Sequence, residues 1–182
     1  MYRLFVAIEL PQPLRRQLAL MGGGIPGARW VARENLHLTL RFIGDVDTRT
    51  ADQAHDALSE VALEPFDVRL KDMAIFGERR PRILYAGVTT NPALHDLYDR
   101  INAALARAGL APPEERRYVP HVTLARFGAR FGRSPPERIG AFIVANNILP
   151  MPAFTVRGFA LMSSHRSAAG ASYQVEASYP DG

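Results

Sequence analysis

The chain has 182 residues, enough for one ordinary globular unit or for one built of two similar lobes. Hydrophobic residues at 47% and charged residues at 22% are ordinary globular usage, which excludes disordered and collagen-like chains. With no Cys, disulfides, thiolate catalysis and Cys-bound zinc are excluded, and the net charge of +4 is carried almost wholly by Arg, Lys71 being the one Lys. Arg presents a planar fork of donors that suits phosphate oxygens, so this bias fits an RNA or nucleotide partner, and it fits a GC-rich genome equally well.

The opening, MYRLFVAIELPQPLRRQ, has an apolar run too short for a signal peptide or a membrane span, and a soluble, cytoplasmic protein is expected. Tyr2 to Leu10 alternates as a strand, with Leu4, Val6, Ile8 and Leu10 on one face and Phe5 on the other, free to stack on a base or to cover the sheet edge. Pro11 and Pro13 stop it and suit the first turn of a helix to about Met21. The following Gly22, Gly23 and Gly24 lack a Lys and a Ser or Thr behind them, so they form a turn and not a phosphate loop. Arg29 to Val31 is a short strand and Glu34 and Asn35 a turn. Asp47 or Thr48 caps a helix to about Leu63 whose apolar stripe is Ala51, Ala54, Leu58 and Val61, with His55 facing solvent. Phe66 to Phe76 reads as one strand, Gly77 to Arg82 as a turn and Ile83 to Thr89 as a strand. A helix runs from Pro92 to about Ala108, closed by Gly109, with His95 in its first turn as a structural or exposed residue. Residues 111–118 form a loop, Gly128 to Pro136 a basic flexible stretch, and a short helix or turn leads to Asn147. Phe154 to Ser163 and Ala171 to Tyr179 form a hairpin with His165 at its loop.

One phrase occurs twice. LHLTLRFIG begins at Leu36 and PHVTLARFG at Pro120, so His37, Thr39, Leu40 and Gly44 recur as His121, Thr123, Leu124 and Gly128. A given His has Thr two places on with odds of roughly one in twenty-five, so two such matches, both strand-like and both closed by Gly, are a specific signal. Strand alternation puts His37 and Thr39 on one face and His121 and Thr123 on another. It sends Leu38, Leu40 and Phe42 into one core and Val122 and Leu124 into a second, with the two open faces meeting across a cleft. The repeat gives an α+β fold of two pseudo-symmetric lobes, each a mainly antiparallel sheet with outer helices. The plainer alternative is a pair of strand histidines donating to backbone carbonyls.

Two facing imidazoles can serve as a general acid and base, because His titrates near neutral pH. The pair suits in-line attack at phosphorus, and a hydroxyl two residues along the same face can donate to a nonbridging oxygen. Neither HExxH nor another carboxylate–histidine cluster occurs, so no metal is expected, and no GxSxG marks a serine nucleophile.

These phrases, with RLFVAIELP, RWVARENLHLTLRFIGDVD, RPRILYAGV and SYQVEASYP, resemble the two-histidine phosphoesterases, in particular the RNA 2',3'-cyclic phosphodiesterase family, also called 2'-5' RNA ligases. The resemblance spans nearly the whole chain and implies one bilobal domain over residues 1–182, a cleft between the lobes, no cofactor or metal, and hydrolysis of an RNA or nucleotide 2',3'-cyclic phosphate to the 2'-phosphomonoester. It makes His37 the proton donor to the leaving 3'-oxygen, His121 the base that activates water, and Thr39 and Thr123 the phosphate-holding hydroxyls. Arg126 matches a family Arg after the second motif, yet alternation puts it on the face opposite His121 unless the strand bulges near Ala125. Arg41 has the right parity but matches no family position. Phe5 and Tyr85 are candidate base or ribose contacts. No membrane and no obligate protein partner are expected. The same residues also suit 2'-5' ligation, and an idle nucleotide-binding module remains as a reading from another class.

Overall fold

The computed structural model describes residues 2–77, 80–110, 112, 117–128, 136–147, 151–167 and 170–180. The Gly77–Arg82 turn, the 111–118 loop, the Gly128–Pro136 stretch and the hairpin loop of the sequence reading lie wholly or partly outside them.

Strand β1 (Tyr2–Glu9) buries Leu4, Val6 and Ile8 on one side, as its alternation demands. Helix α1 (Gln12–Leu20) has Pro13 in its first turn, where a missing N–H costs nothing. A short β2 (Arg29–Trp30) and one helical turn at Arg33–Asn35 lead into β3 (His37–Val46). Helix α2 (Thr48–Ser59) is capped by the Asp47 carboxylate, which accepts from the Thr50 N–H at 2.8 Å. Strands β4 (Phe66–Val68), β5 (Leu70–Phe76) and β6 (Ile83–Val88) precede α3 (Pro92–Arg107), whose cap Asn91 accepts from the Leu94 N–H at 3.0 Å. Then come β7 (His121–Arg126), α4 (Pro136–Asn146), β8 (Phe154–Val156), β9 (Phe159–Ser167) and β10 (Gly170–Tyr179).

An antiparallel sheet in the order β10-β9-β1-β3-β7-β6-β5 runs through the molecule, with β2 also paired to β7. The two lobes are its two halves, joined where β3 meets β7. The helices cover one face, and Leu38, Leu40, Val122 and Leu124 share one core with Leu14, Leu18, Ala54, Leu58, Leu94, Leu97 and Ile101. Because the lobes share a sheet, Val122 and Leu124 join the core of Leu38 and Leu40 instead of forming a second one, and the two histidine faces lie side by side.

Other expectations change for equally local reasons. Phe66 to Phe76 is two strands, because β4 leaves the large sheet to pair with β8 while β5 pairs with β6. His165 sits within β9 and not in the loop, its Nε2 2.8 Å from the Ser163 hydroxyl. The exposed His55 is held through Nδ1 by the Tyr179 hydroxyl at 2.8 Å.

The most consequential change lies in β3. Ala7 pairs with Thr39 and the next pair is Val6 with Arg41, so Leu40 is an extra residue in a bulge and the alternation slips by one. Leu40 and Arg41 are both buried, and Arg41, only 4% exposed, passes under the sheet and donates from Nη2 to the Pro112 carbonyl. Arg41 therefore does not reach the histidine face. Phe42, expected in the core, returns to that face and is 59% exposed. A second irregularity follows, and Gly44 carries it at φ +105, a left-handed conformation that a side chain would strain.

Leu38→Ala, at a fully buried position, should cost about 2–5 kcal/mol in urea unfolding. Phe42→Ala should cost about 0.5 kcal/mol or less, as at ordinary surface positions. Equal losses at the two sites would contradict the bulge.

Candidate active site

The site is made by two neighbouring strands in the middle of the sheet. Leu38 of β3 is paired with Val122 of β7, and continuing that antiparallel register by one residue each way sets His37 opposite Thr123 and Thr39 opposite His121. All four side chains rise from the face that the helices leave uncovered. The two histidines are diagonal neighbours, for which backbone separations are about 7–8 Å, leaving room for a small group between the rings.

Both imidazoles are oriented alike. His37 Nδ1 lies 2.7 Å from the Asn35 carbonyl, and His121 Nδ1 lies 2.7 Å from the Val119 carbonyl. A carbonyl can only accept, so each Nδ1 carries hydrogen and each Nε2 is the nitrogen left for chemistry. The carbonyl bonds expected of merely structural histidines are therefore present, and they orient the rings. Asn35 is itself tied down, its side-chain amide donating to the Ala171 carbonyl of β10 at 2.7 Å.

Aromatic rings wall each imidazole. His37 has Phe5 at 5.0 Å and the edge of Tyr173 at 5.1 Å between ring centroids. His121 has Phe76 at 4.9 Å and Tyr85 at 5.3 Å, and those two rings stack at 4.2 Å. This environment is dry enough to disfavour charge. Burial pushes His37 down to about 4, helped by the charges of Arg126, His121 and Arg15 and opposed by the Asn35 carbonyl. Burial also pushes His121 below its usual value, with Arg126 adding to the effect and the Val119 carbonyl opposing it. The free site therefore holds two neutral imidazoles at neutral pH, facing positive charge.

Arg126 reaches this face because β7 repeats the bulge of β3. Thr123 pairs with Tyr85 and Ala125 with Leu84, leaving Leu124 as the extra residue. Leu124 and Ala125 are both buried, and Arg126 emerges exposed on the side of His121. The condition under which the sequence permitted Arg126 to reach the site is thus met. Tyr85 lies directly across from Thr123 on the same face. Phe5 does not meet its expectation as a base contact. It is on the right face, yet Ala7, Ala160, Met162 and Tyr173 pack over it and leave it 2% exposed, so its role is to wall His37. The sequence reading missed Phe42, Tyr173, Phe76 and Asn35. Phe42 had a signal, since aligning the two phrases from their histidines sets it against Arg126.

Among the described residues, no three His, Cys, Asp or Glu side chains gather as metal ligands, and no helix is long and apolar enough to cross a membrane. The described site offers two hydroxyls and a guanidinium, donors suited to an anion, beside the two imidazole Nε2 atoms.

Comparisons with known proteins bear on the family and the fold. An RNA 2',3'-cyclic phosphodiesterase of Thermotoga maritima is 31% identical over 132 residues, 68% of this chain and 69% of that one. Another, from Geobacillus stearothermophilus, is 29% identical over 155 residues, 81% of this chain, and the chain spans about half, 49%, of that relative's length. The solved structure of E. coli LigT complexed with 3'-AMP superposes with a TM-score of 0.76 at 26% identity, covering 98% of this chain and 97% of that one. The family model of the 2'-5' RNA ligase superfamily matches residues 12–168, and to that family the chain belongs.

Proposed function

We propose that the protein is an RNA 2',3'-cyclic phosphodiesterase that opens a terminal cyclic phosphate to the 2'-phosphomonoester, with the whole chain acting as one two-lobed domain in a cytoplasmic setting. The observation that carries this is the pair of Nε2 atoms, each freed by a carbonyl on Nδ1 and both on one sheet face beside two hydroxyls. The names of the relatives support the same chemistry.

In this reading the cyclic phosphate sits between the imidazoles. Thr39, Thr123 and Arg126 donate to its nonbridging oxygens. His121 Nε2 takes a proton from water as the water oxygen bonds to phosphorus, and the P–O3' bond breaks as His37 Nε2 gives its proton to O3'. Catalysis rests on proton transfer and on fixed donors aimed at a charged centre. Phe42, exposed five residues after His37, offers its ring to the base or ribose, the part first given to Phe5, and Tyr85 does so beside Thr123. Ligation, the activity in the family description, needs only a 5'-hydroxyl in place of water, its oxygen bonding to phosphorus as O3' leaves.

His37→Ala and His121→Ala should each lower kcat on a 2',3'-cyclic mononucleotide by about 10²- to 10⁴-fold with the fold retained by circular dichroism, and a chelator should leave the parent enzyme unaffected. Product analysis by phosphorus NMR should give the 2'-monoester. No turnover at all would make the protein a binding module, and a 2'-5' linked product from RNA ends would favour ligation.

The two lowered imidazoles set the pH dependence. Donation requires one imidazolium, whose fraction falls as pH rises through the lowered value. The profile of kcat/KM, which reports the free enzyme, should therefore be bell-shaped with its optimum on the acid side of about 6.5. A bound phosphate anion favours the imidazolium, so the kcat profile should lie at higher pH. Superposed profiles centred above the ordinary histidine value would contradict the burial argument.

A further inference from the structure

Arg29 had no role in the sequence reading beyond opening a short strand. In the structure its Cα partner across β2 and β7 is Arg126, and the next pair is Trp30 with Ala125. Directly opposed residues point to the same face. Ala125 is buried in the core, and Trp30 packs downward with its ring 5.4 Å from Phe142 of α4. Arg29 and Arg126 therefore both rise on the face that carries the histidines. Both are exposed, and neither side chain forms an ion pair or hydrogen bond with a described residue, whereas Arg3, Arg15 and Arg100 each meet a carboxylate.

Two guanidiniums directly opposite one another repel, and the arrangement gains nothing for the fold. An anion lying between them removes that cost. The place of the pair says which anion. Along β7 the order on this face is His121, Thr123, Arg126, and β2 continues the edge that β3 occupies at Val122. The pair thus stands just past the phosphate seat, at the end away from Phe42. On an RNA with a 2',3'-cyclic terminus, the next phosphate is the one on the 5' side of the same nucleoside.

We propose that Arg29 forms a second phosphate subsite that takes this 5'-side phosphate, with Arg126 bridging to it from the cyclic phosphate through its remaining N–H groups, so that the enzyme prefers polynucleotide ends, or 5'-phosphorylated nucleotides, to simple cyclic mononucleotides. The proposal rests on the reading of the imidazole site for which phosphate lies there. Arginine suits the task because its fork grips two oxygens of one phosphate.

The test compares three substrates: a 2',3'-cyclic mononucleotide with a free 5'-hydroxyl, the same with a 5'-phosphate, and a dinucleotide with the same cyclic end. The parent enzyme should favour the second and third over the first in kcat/KM. Arg29→Ala should cut that preference about tenfold, mainly through KM, with Arg29→Lys recovering part of it. The salt dependence of dinucleotide binding should lose about one unit of log–log slope in Arg29→Ala. An unchanged preference in the variant overturns the subsite, as does a gain confined to the dinucleotide, which assigns it to the second nucleoside instead. The same variants are titrated with mono- and dinucleotides ending in a 2'-phosphate. If the parent enzyme turns over no cyclic phosphate, the hydrolase reading fails while this binding comparison still decides the role of Arg29.

Discussion

The register between β3 and β7 is the constraint on which the site depends. One backbone pairing, Leu38 with Val122, makes each histidine the cross-strand neighbour of the other strand's threonine. A slip of one residue would turn one strand's entire polar set into the core and leave a single imidazole with no partner. The register is held from below, because Leu38 and Val122 are both fully buried and share their core with the helices. Packing on the covered face thus fixes chemistry on the open one.

The second device is the paired bulge. In both strands the fifth residue of the phrase, Leu40 or Leu124, is an addition that buries two consecutive side chains and reverses the parity beyond it. Three residues past each threonine, a side chain returns to the open face. It is Phe42 in one half and Arg126 in the other. The backbone is pseudo-symmetric while the two returned side chains differ, one apolar and one cationic. A symmetric pair of imidazoles is thereby given unlike surroundings.

The sequence disclosed what local period and capping control. The alternation of β1, the Asp47 cap, the apolar stripes of α2 and α3 and the His-x-Thr pair all follow from spacing within one element. What escaped it depends on distant partners. Arg41 and Phe42 exchanged places because an extra residue in β3 faces a strand thirty-odd positions away, and nothing in LHLTLRFIG marks the insertion except its closing glycine. Phe5 was assigned the correct face but not its burial, which is supplied by Ala160, Met162 and Tyr173 from the far end of the chain. The split of Phe66 to Phe76 likewise needs β8 as the competing partner.

Electrostatics joins these parts into one system. Burial among aromatic rings favours the neutral form of both imidazoles in the free protein, and Arg126 lies close enough to push both further the same way. An isolated acid–base pair with these properties would be poorly poised, since one member must be charged to act. A phosphodiester changes the balance by bringing a negative charge to the place where positive charge is disfavoured. The proton on the donor and the anion between the rings then stabilise each other, so binding and protonation are linked. In the proposed function, neutral imidazoles walled by rings, with exposed guanidiniums at one end, form a face whose charges a bound phosphate would compensate.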